Sequence, residues 1–251
     1  MRYSPSVEDN YLTPEICIAA MRSACTTDLF FLSKEILGYK DLTERTHGNI
    51  SRLLESKDIQ RKLIVTPRGS FKSSLGVVGF SIFRALQDPN IRILIDSEIY
   101  TNSSNFIREI KGHLANPVLE GAFGDFRSKS DWTEGSLTIS QRSRNFKEST
   151  FTASGIGTEK TGQHYDLIIA DDLNSPKNSQ TDEGRQKVID HYRYLNAILE
   201  PGGEFVLIGT RYAANDIYGF VIDNEIDEED LNGIPHSKRT PPEGLLRTIL
   251  G

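Results

Sequence analysis

Cysteine is scarce in this sequence, and a long apolar run, a secretory leader and a broad basic face are missing altogether. The two cysteines, Cys17 and Cys25, are too few for a disulfide framework and lack the His or Cys spacing of a metal site, so they read as reduced thiols in a helical segment. No apolar stretch approaches the ~20 residues of a bilayer-spanning helix, which sets a membrane protein aside. The opening MRYSPSVEDN has no basic head followed by an apolar core, and the expected compartment is the cytoplasm. Against 35 Asp and Glu stand 29 Lys and Arg, a net charge of -6. Any nucleic acid must then be met by a few local cations, not by a coating surface. His47 and His164 have no HxxxH, HxxE or cysteine companion, so they read as surface or core-edge residues and a zinc site is not expected.

What is present is an alternation of short apolar runs with longer amphipathic ones, over a length of 251 residues that suits one large α/β domain. Residues 14–54 carry Ile16, Ile18, Met21, Phe30, Phe31 and Ile36 at mixed helical spacing, a helical lead-in. The four strongest strands are expected at 62–66, 92–97, 167–170 and 205–209. Their nearly continuous apolar character suits a mostly parallel sheet with helices on both faces. Leu75, Val78, Ile82 and Leu86 predict a helix over 73–86, stopped by Asp88, Pro89 and Asn90. Phe106, Ile107, Ile110 and Leu114 predict another, ended by Asn116 and Pro117. Short alternating runs at 137–140 and 151–153 suggest a hairpin or small edge strands. Val188, Ile189, Tyr192, Leu195 and Leu199 line one face of a further helix, after which Pro201, Gly202 and Gly203 turn the chain into the fourth strand. Residues 1–222 are expected to form the domain. Residues 223–251, with Asp223, Glu225, Asp227, Glu228, Glu229 and Asp230 in a charge run, read as a linker or truncated end.

Directly after the first strand come Thr66, Pro67, Arg68, Gly69, Ser70, Phe71, Lys72, Ser73 and Ser74. A tight loop between a strand and a helix N-terminus aims several backbone N–H groups and the positive end of a helix dipole at one anion. In the GxxxxGK[ST] pattern Lys72 would reach the β- and γ-phosphates and Ser73 would hold Mg²⁺. Thr66 and Phe71 stand where the pattern has glycine. Phe71 makes a positive φ costly there, so the loop is expected to depart from the usual shape. By itself the loop reads equally well as a basic strand-to-helix turn. The strand YDLIIADD ends in Asp171 and Asp172, adjacent like charges for which a metal ion is the usual remedy. Asp171 would accept Mg²⁺ and Asp172 would orient or deprotonate water. Alone, the pair reads equally well as a cap on the following turn. Together, the loop and the acidic strand point to a P-loop NTPase of the ASCE type, using ATP and Mg²⁺.

The segments PRGSFKSS, ILIDSEIYTNSSNFIREIKGHL, DWTEGSLTISQRSRNFKESTFTASGIG, TGQHYDLIIADDLNSPKNSQT and IGTRYAANDIYG resemble, in order and spacing, the phage terminase large subunits. The resemblance implies the N-terminal ATPase domain of such a subunit, hydrolysing ATP to translocate double-stranded DNA. Implied partners are the portal protein, a small terminase subunit and further copies in a homo-oligomeric ring, with a monomer allowed for in isolation. The implied setting is the host cytoplasm and, transiently, the procapsid portal vertex. Arg68 is similar to a loop arginine that senses the γ-phosphate, and Thr210 and Arg211 fall in what looks like the coupling motif. Relatives place an arginine acting on a neighbouring subunit just before the acidic strand. Here Lys160, Thr161, Gly162, Gln163 and His164 occupy that place. Lys160, Arg142 and Arg144 are the substitutes considered. A nuclease domain also belongs to such subunits, and no nuclease activity is expected of these residues. A helicase-like P-loop ATPase and a non-hydrolysing nucleotide-binding adaptor are the alternatives.

Overall fold

A computed structural model describes residues 13–158, 160, 162–225 and 246–250. Helix α1 (Pro14–Thr27) starts where the sequence supplies both of its start signals, a Thr13 side chain accepting from the Ile16 amide and Pro14 in the first turn. A short α2 (Leu29–Phe31), two π-helical turns (Leu32–Ile36 and Glu44–Gly48) and α3 (Asn49–Glu55) complete the lead-in. The alternating part then runs β1 (Arg61–Val65), a π-helical turn (Ser74–Gly79) continuing into α4 (Phe80–Gln87), β2 (Ile93–Ser97) and α5 (Tyr100–Leu114). It goes on through α6 (Pro117–Phe123), β3 (Arg127–Trp132), β4 (Ser136–Ile139), β5 (Phe151–Gly155), β6 (Tyr165–Asp171), α7 (Asp182–Ala197), β7 (Leu199–Gly209) and α8 (Ile217–Glu225). Strand β8 (Leu246–Leu250) is the last described segment.

All eight strands join one sheet in the order β3-β4-β5-β2-β6-β7-β1-β8. The strands from β5 to β8 pair in parallel, while β3-β4 and β4-β5 are antiparallel. Side-chain alternation divides the core in two. Ile64, Ile93, Ile95, Leu167, Ile169, Val206 and Ile208 pack with α1 to α6 on one face. Leu63, Val65, Leu94, Ile168, Ala170, Phe205 and Leu207 pack with α7 and α8 on the other. The result is the expected α/β architecture, a mostly parallel sheet covered by helices on both faces.

One local expectation is extended and three change. Asn116 and Pro117 follow the end of α5, as expected, and also begin the next helix: Asn116 accepts from the Val118 amide at 2.8 Å and Pro117 opens α6. One Asn-Pro pair serves as stop and start signal at once. Strand β5 is interior, buried along its whole length and paired with β2, and only β3 and β4 extend the edge. Pro201, Gly202 and Gly203 lie inside the span of β7 as an irregularity, because Tyr165 pairs with Leu199 while Leu167 already pairs with Glu204. The segment expected as linker contributes β8, parallel to β1, where backbone pairing does not depend on an apolar side-chain period. The charge run at 226–230 lies outside the described residues.

Candidate nucleotide site

At the carboxyl ends of the parallel strands, β7 separates the strand that leads into the basic loop from the strand that ends in paired acids. Three chemistries therefore meet side by side: Lys72 and Ser73 after β1, Asp171 and Asp172 from β6, and Thr210 after β7. Alternation along β6 fixes which acid does what. Ile168 and Ala170 face α7 and Ile169 faces α4, so Asp171 falls on the α4 side, where the helix after the basic loop begins. The Ser73 hydroxyl lies 2.9 and 3.1 Å from its two carboxylate oxygens. Asp172 is the first residue past the strand and has φ 44°, a left-handed conformation in which Asp is one of the more tolerated residues. Its amide donates to the Ile208 carbonyl at 2.9 Å.

Lys72 is 6% exposed, and its Nζ donates to Thr210 Oγ1 at 2.8 Å and lies 3.8 Å from Asp172 Oδ1. Thr210 in turn donates to the Thr66 carbonyl at 3.1 Å, closing the circuit back to β1. Burial and the neighbouring Asp172 charge push the Asp171 carboxyl up to about 7, against the pull of the Ser73 hydroxyl and Lys72. Two acids this close, with one of them buried, call for a cation, and Asp172 Oδ1 is buried without a hydrogen-bond partner. Ser73 and Asp171 fit a hard divalent ion that takes its remaining ligands from phosphates and water.

The loop itself has two left-handed residues, Gly69 at φ 75° and Phe71 at φ 53°. Phe71 takes the conformation that the pattern's second glycine would take, contrary to the expectation drawn from its bulk. A left-handed non-glycine costs about 1–2 kcal/mol and needs support from its surroundings. Thr66 Oγ1 and Ser70 Oγ close the loop across its base at 2.7 Å.

The fold has a solved counterpart. A mutant form of the large terminase ATPase domain of Thermus phage P74-26 aligns with a TM-score of 0.52 over 90% of this chain and 86% of its own, at 17% sequence identity. No protein-family profile and no curated sequence matches the chain. At that identity the likeness speaks for the fold, and the site stands on its own geometry.

Within this fold the remaining sequence candidates separate. Arg68 is exposed and lies over the Tyr212 ring at 5.4 Å, linking the basic loop to the segment after β7. Arg211 donates to the Ala214 carbonyl at 2.9 Å and approaches Asp216 at 4.0 Å, so its guanidinium holds its own loop. Arg142 donates to the carbonyls of Glu148 at 2.6 Å and Ile91 at 2.8 Å. Both lie just before strands β5 and β2, the end of the sheet opposite the phosphate loop. Burial and the nearby Arg92 charge lower its pKa. Arg142 is thus an internal brace and not a free cation. Exposed Arg144 stands beside it, its amide bonded to Asn90 Oδ1 at 2.8 Å. Lys160 is half-buried between β5 and β6, its amide donating to the Tyr194 hydroxyl. His164 is exposed.

Three residues given no role from the sequence also shape the site. Asp216, fully buried, accepts from the amides of Tyr212 at 3.0 Å, Ala213 at 3.3 Å and Gly219 at 3.0 Å and from Asn174 Nδ2 at 2.8 Å. It ties the loop after the acids to the loop after β7 and caps α8. Glu98, just past β2, accepts from Ser175 Oγ at 2.6 Å and Asn178 Nδ2 at 3.2 Å, fixing the chain beyond Asp172. His47, 5% exposed, reaches the basic loop from the lead-in, at 3.0 Å from the Ser70 carbonyl. The partners of Glu98, Ser70 on His47 and Asn174 on Asp216 are more than twenty residues away, a distance at which spacing carries no signal; the other partners of Asp216 lie within four residues of it.

Proposed function

We propose that this chain is an ATP-hydrolysing motor that drives double-stranded DNA through a portal into an empty viral procapsid. The observation that carries the hydrolytic part is the meeting of Lys72, Ser73, Asp171, Asp172 and Thr210 across the ends of three adjacent parallel strands. The packaging part leans on the fold likeness to a terminase ATPase domain and on the ordered segments of the sequence.

In this reading the loop amides and the start of the following helix bind the phosphates of ATP, with Lys72 on the β- and γ-oxygens. Ser73 and Asp171 would hold Mg²⁺, which would supply positive charge to the phosphates. Asp172, more exposed than Asp171 and next to Lys72, orients the attacking water and accepts its proton. Thr210 gives up its bond to Lys72 when a γ-phosphate arrives and recovers it on release, a two-state contact at the end of β7. Arg68 reaches the γ-phosphate by leaving the Tyr212 ring. A neighbouring copy in a ring supplies Lys160, on a loop that leaves β5 at the phosphate end of the sheet. The portal protein and a small terminase subunit complete the machine at the portal vertex in the host cytoplasm.

Steady-state turnover of Mg-ATP tests the hydrolytic part. Lys72→Ala and Asp172→Asn should each lower it by about 100-fold or more. Wild-type protein that binds ATP but turns it over no faster than either variant would leave only a nucleotide-binding adaptor. Strand displacement on a forked duplex would favour a helicase-like ATPase. Specific activity should rise with protein concentration or with added procapsids, and flat activity would count against a ring.

A further inference from the structure

We infer that His47 is a positioning residue for nucleotide binding, standing in for the glycine that the phosphate loop lacks at Phe71; this rests on the ATP-site reading above. The imidazole sits on the π-helical turn Glu44–Gly48, in the helical lead-in and not in the phosphate-loop unit. Its Nδ1 accepts the Thr43 amide at 2.9 Å. That bond assigns the proton to Nε2, which donates to the Ser70 carbonyl at 3.0 Å. The ring also meets Phe71 edge-on, with centroids 6.3 Å apart and planes at 71°.

The two contacts act on the same peptide. The Ser70–Phe71 bond is trans, since no cis peptide occurs among the described residues, and in a trans peptide the C=O and N–H point in opposite directions. Drawing the Ser70 oxygen outward onto His47 aims the Phe71 N–H inward, at the anion position between Lys72 and the loop. A rotation of that peptide would present an oxygen to a phosphate and reverse the sign of the interaction. Where the pattern has glycine, the left-handed conformation costs nothing. With Phe71 it is strained, and without an outside hold the peptide would relax away from it. His47 supplies that hold twice over, by the hydrogen bond to Ser70 and by the ring against Phe71. Its own side chain is nine-tenths buried, so the brace is fixed before any nucleotide arrives.

The experiment is equilibrium binding of the fluorescent nucleotide mant-ATP with Mg²⁺, together with steady-state KM and kcat. His47→Gln keeps a donor that can reach Ser70, while His47→Phe keeps an aromatic ring of similar size without a donor. Loss of one buried hydrogen bond corresponds to about a tenfold weaker Kd. His47→Phe should show that loss in Kd and KM with kcat within about twofold, since Asp171 and Asp172 are untouched, and His47→Gln should stay within about threefold of wild type. Amide circular dichroism and the melting temperature of both variants report whether the lead-in stays folded. Should His47→Phe unfold, His47→Asn, smaller and too short to reach Ser70, replaces it with the same expected loss. Equal affinity for wild type and the folded donor-less variant overturns the inference. Lys72→Ala is measured alongside. If it binds mant-ATP as well as wild type does, the nucleotide-site reading itself fails, whereas weakened Lys72→Ala with unaffected His47 variants refutes only the role given to His47.

Discussion

Asparagine in place of Asp171 should stabilise the metal-free protein above neutral pH while abolishing its Mg-dependent turnover. Asp171 is 4% exposed, beside a second carboxylate, and its pKa is raised from 3.8 to about 7, first by burial and then by Asp172. Between those two pH values the folded state binds a proton that the unfolded state does not. Stability therefore falls as pH rises through this window, with a slope of about 1.4 kcal/mol per pH unit. Below about 4 both states hold the proton, and above about 7 neither does, so the loss is complete on the alkaline side. Spread over the window from 3.8 to about 7, the penalty reaches at most roughly 4 kcal/mol. Asp171→Asn carries no charge and keeps a carbonyl oxygen for the Ser73 hydroxyl, so it escapes the penalty. The assay is thermal melting of both proteins with EDTA from pH 4.5 to pH 8.5. Their melting temperatures should lie close together at the acid end and diverge in favour of Asn by several degrees at pH 8, at about 2–4 °C per kcal/mol for a chain of this size. Millimolar Mg²⁺ should close the gap by raising wild type alone. A difference independent of pH, or wild type the more stable at pH 8 in EDTA, would refute the account of Asp171 as a buried acid awaiting a cation.

Further outcomes follow from the scaffold. Lys62 is fully buried in β1, donates to the Leu54 carbonyl at 3.0 Å and pairs with Glu204, which also holds Arg84; Lys62→Met should cost about 3 kcal/mol in urea unfolding by stripping Glu204 of a partner, with mant-ATP affinity unchanged because it lies well below the phosphate end of the strand. Asp216→Asn weakens four bonds, one from Asn174 that joins the two loops and three that hold the loop after β7 and the start of α8; a loss of about 2 kcal/mol is expected, and steady-state kinetics should show kcat falling more than KM rises. A methyl group on Gly155 would lie 2.5 Å from the Tyr100 amide nitrogen and 3.0 Å from the Ile99 carbonyl carbon, backbone atoms that cannot step aside, so Gly155→Ala should lose about 1–3 kcal/mol by overpacking, read as a lower urea midpoint.

The strands were legible in the sequence because both faces of each had to be apolar: Ile64 serves one layer and Leu63 the other, so the run is continuous and its direction in the sheet follows from the helices between runs. The chemistry of Lys72, Ser73, Asp171 and Asp172 was legible for a related reason, since each sits within a residue or two of a strand end or helix start that local pattern already marks. Phe71 was misjudged because its local cost is real; only His47, more than twenty positions earlier, shows what offsets it. Likewise Arg142 looked like a free cation until the carbonyls of Glu148 and Ile91 were found on it. The residues thus determined by themselves the four central strands and the helices between them, and which side chains have the chemistry for phosphate and metal, because periodicity and motif spacing are short-range properties. Only the tertiary structure decided that β7 lies between the two charged strands, that Thr210 meets Lys72, that Asp216 joins two loops and that the lead-in braces the phosphate loop. Those contacts join positions from 23 to 138 residues apart, and what brings them together is the packing of two apolar layers, to which no local pattern refers.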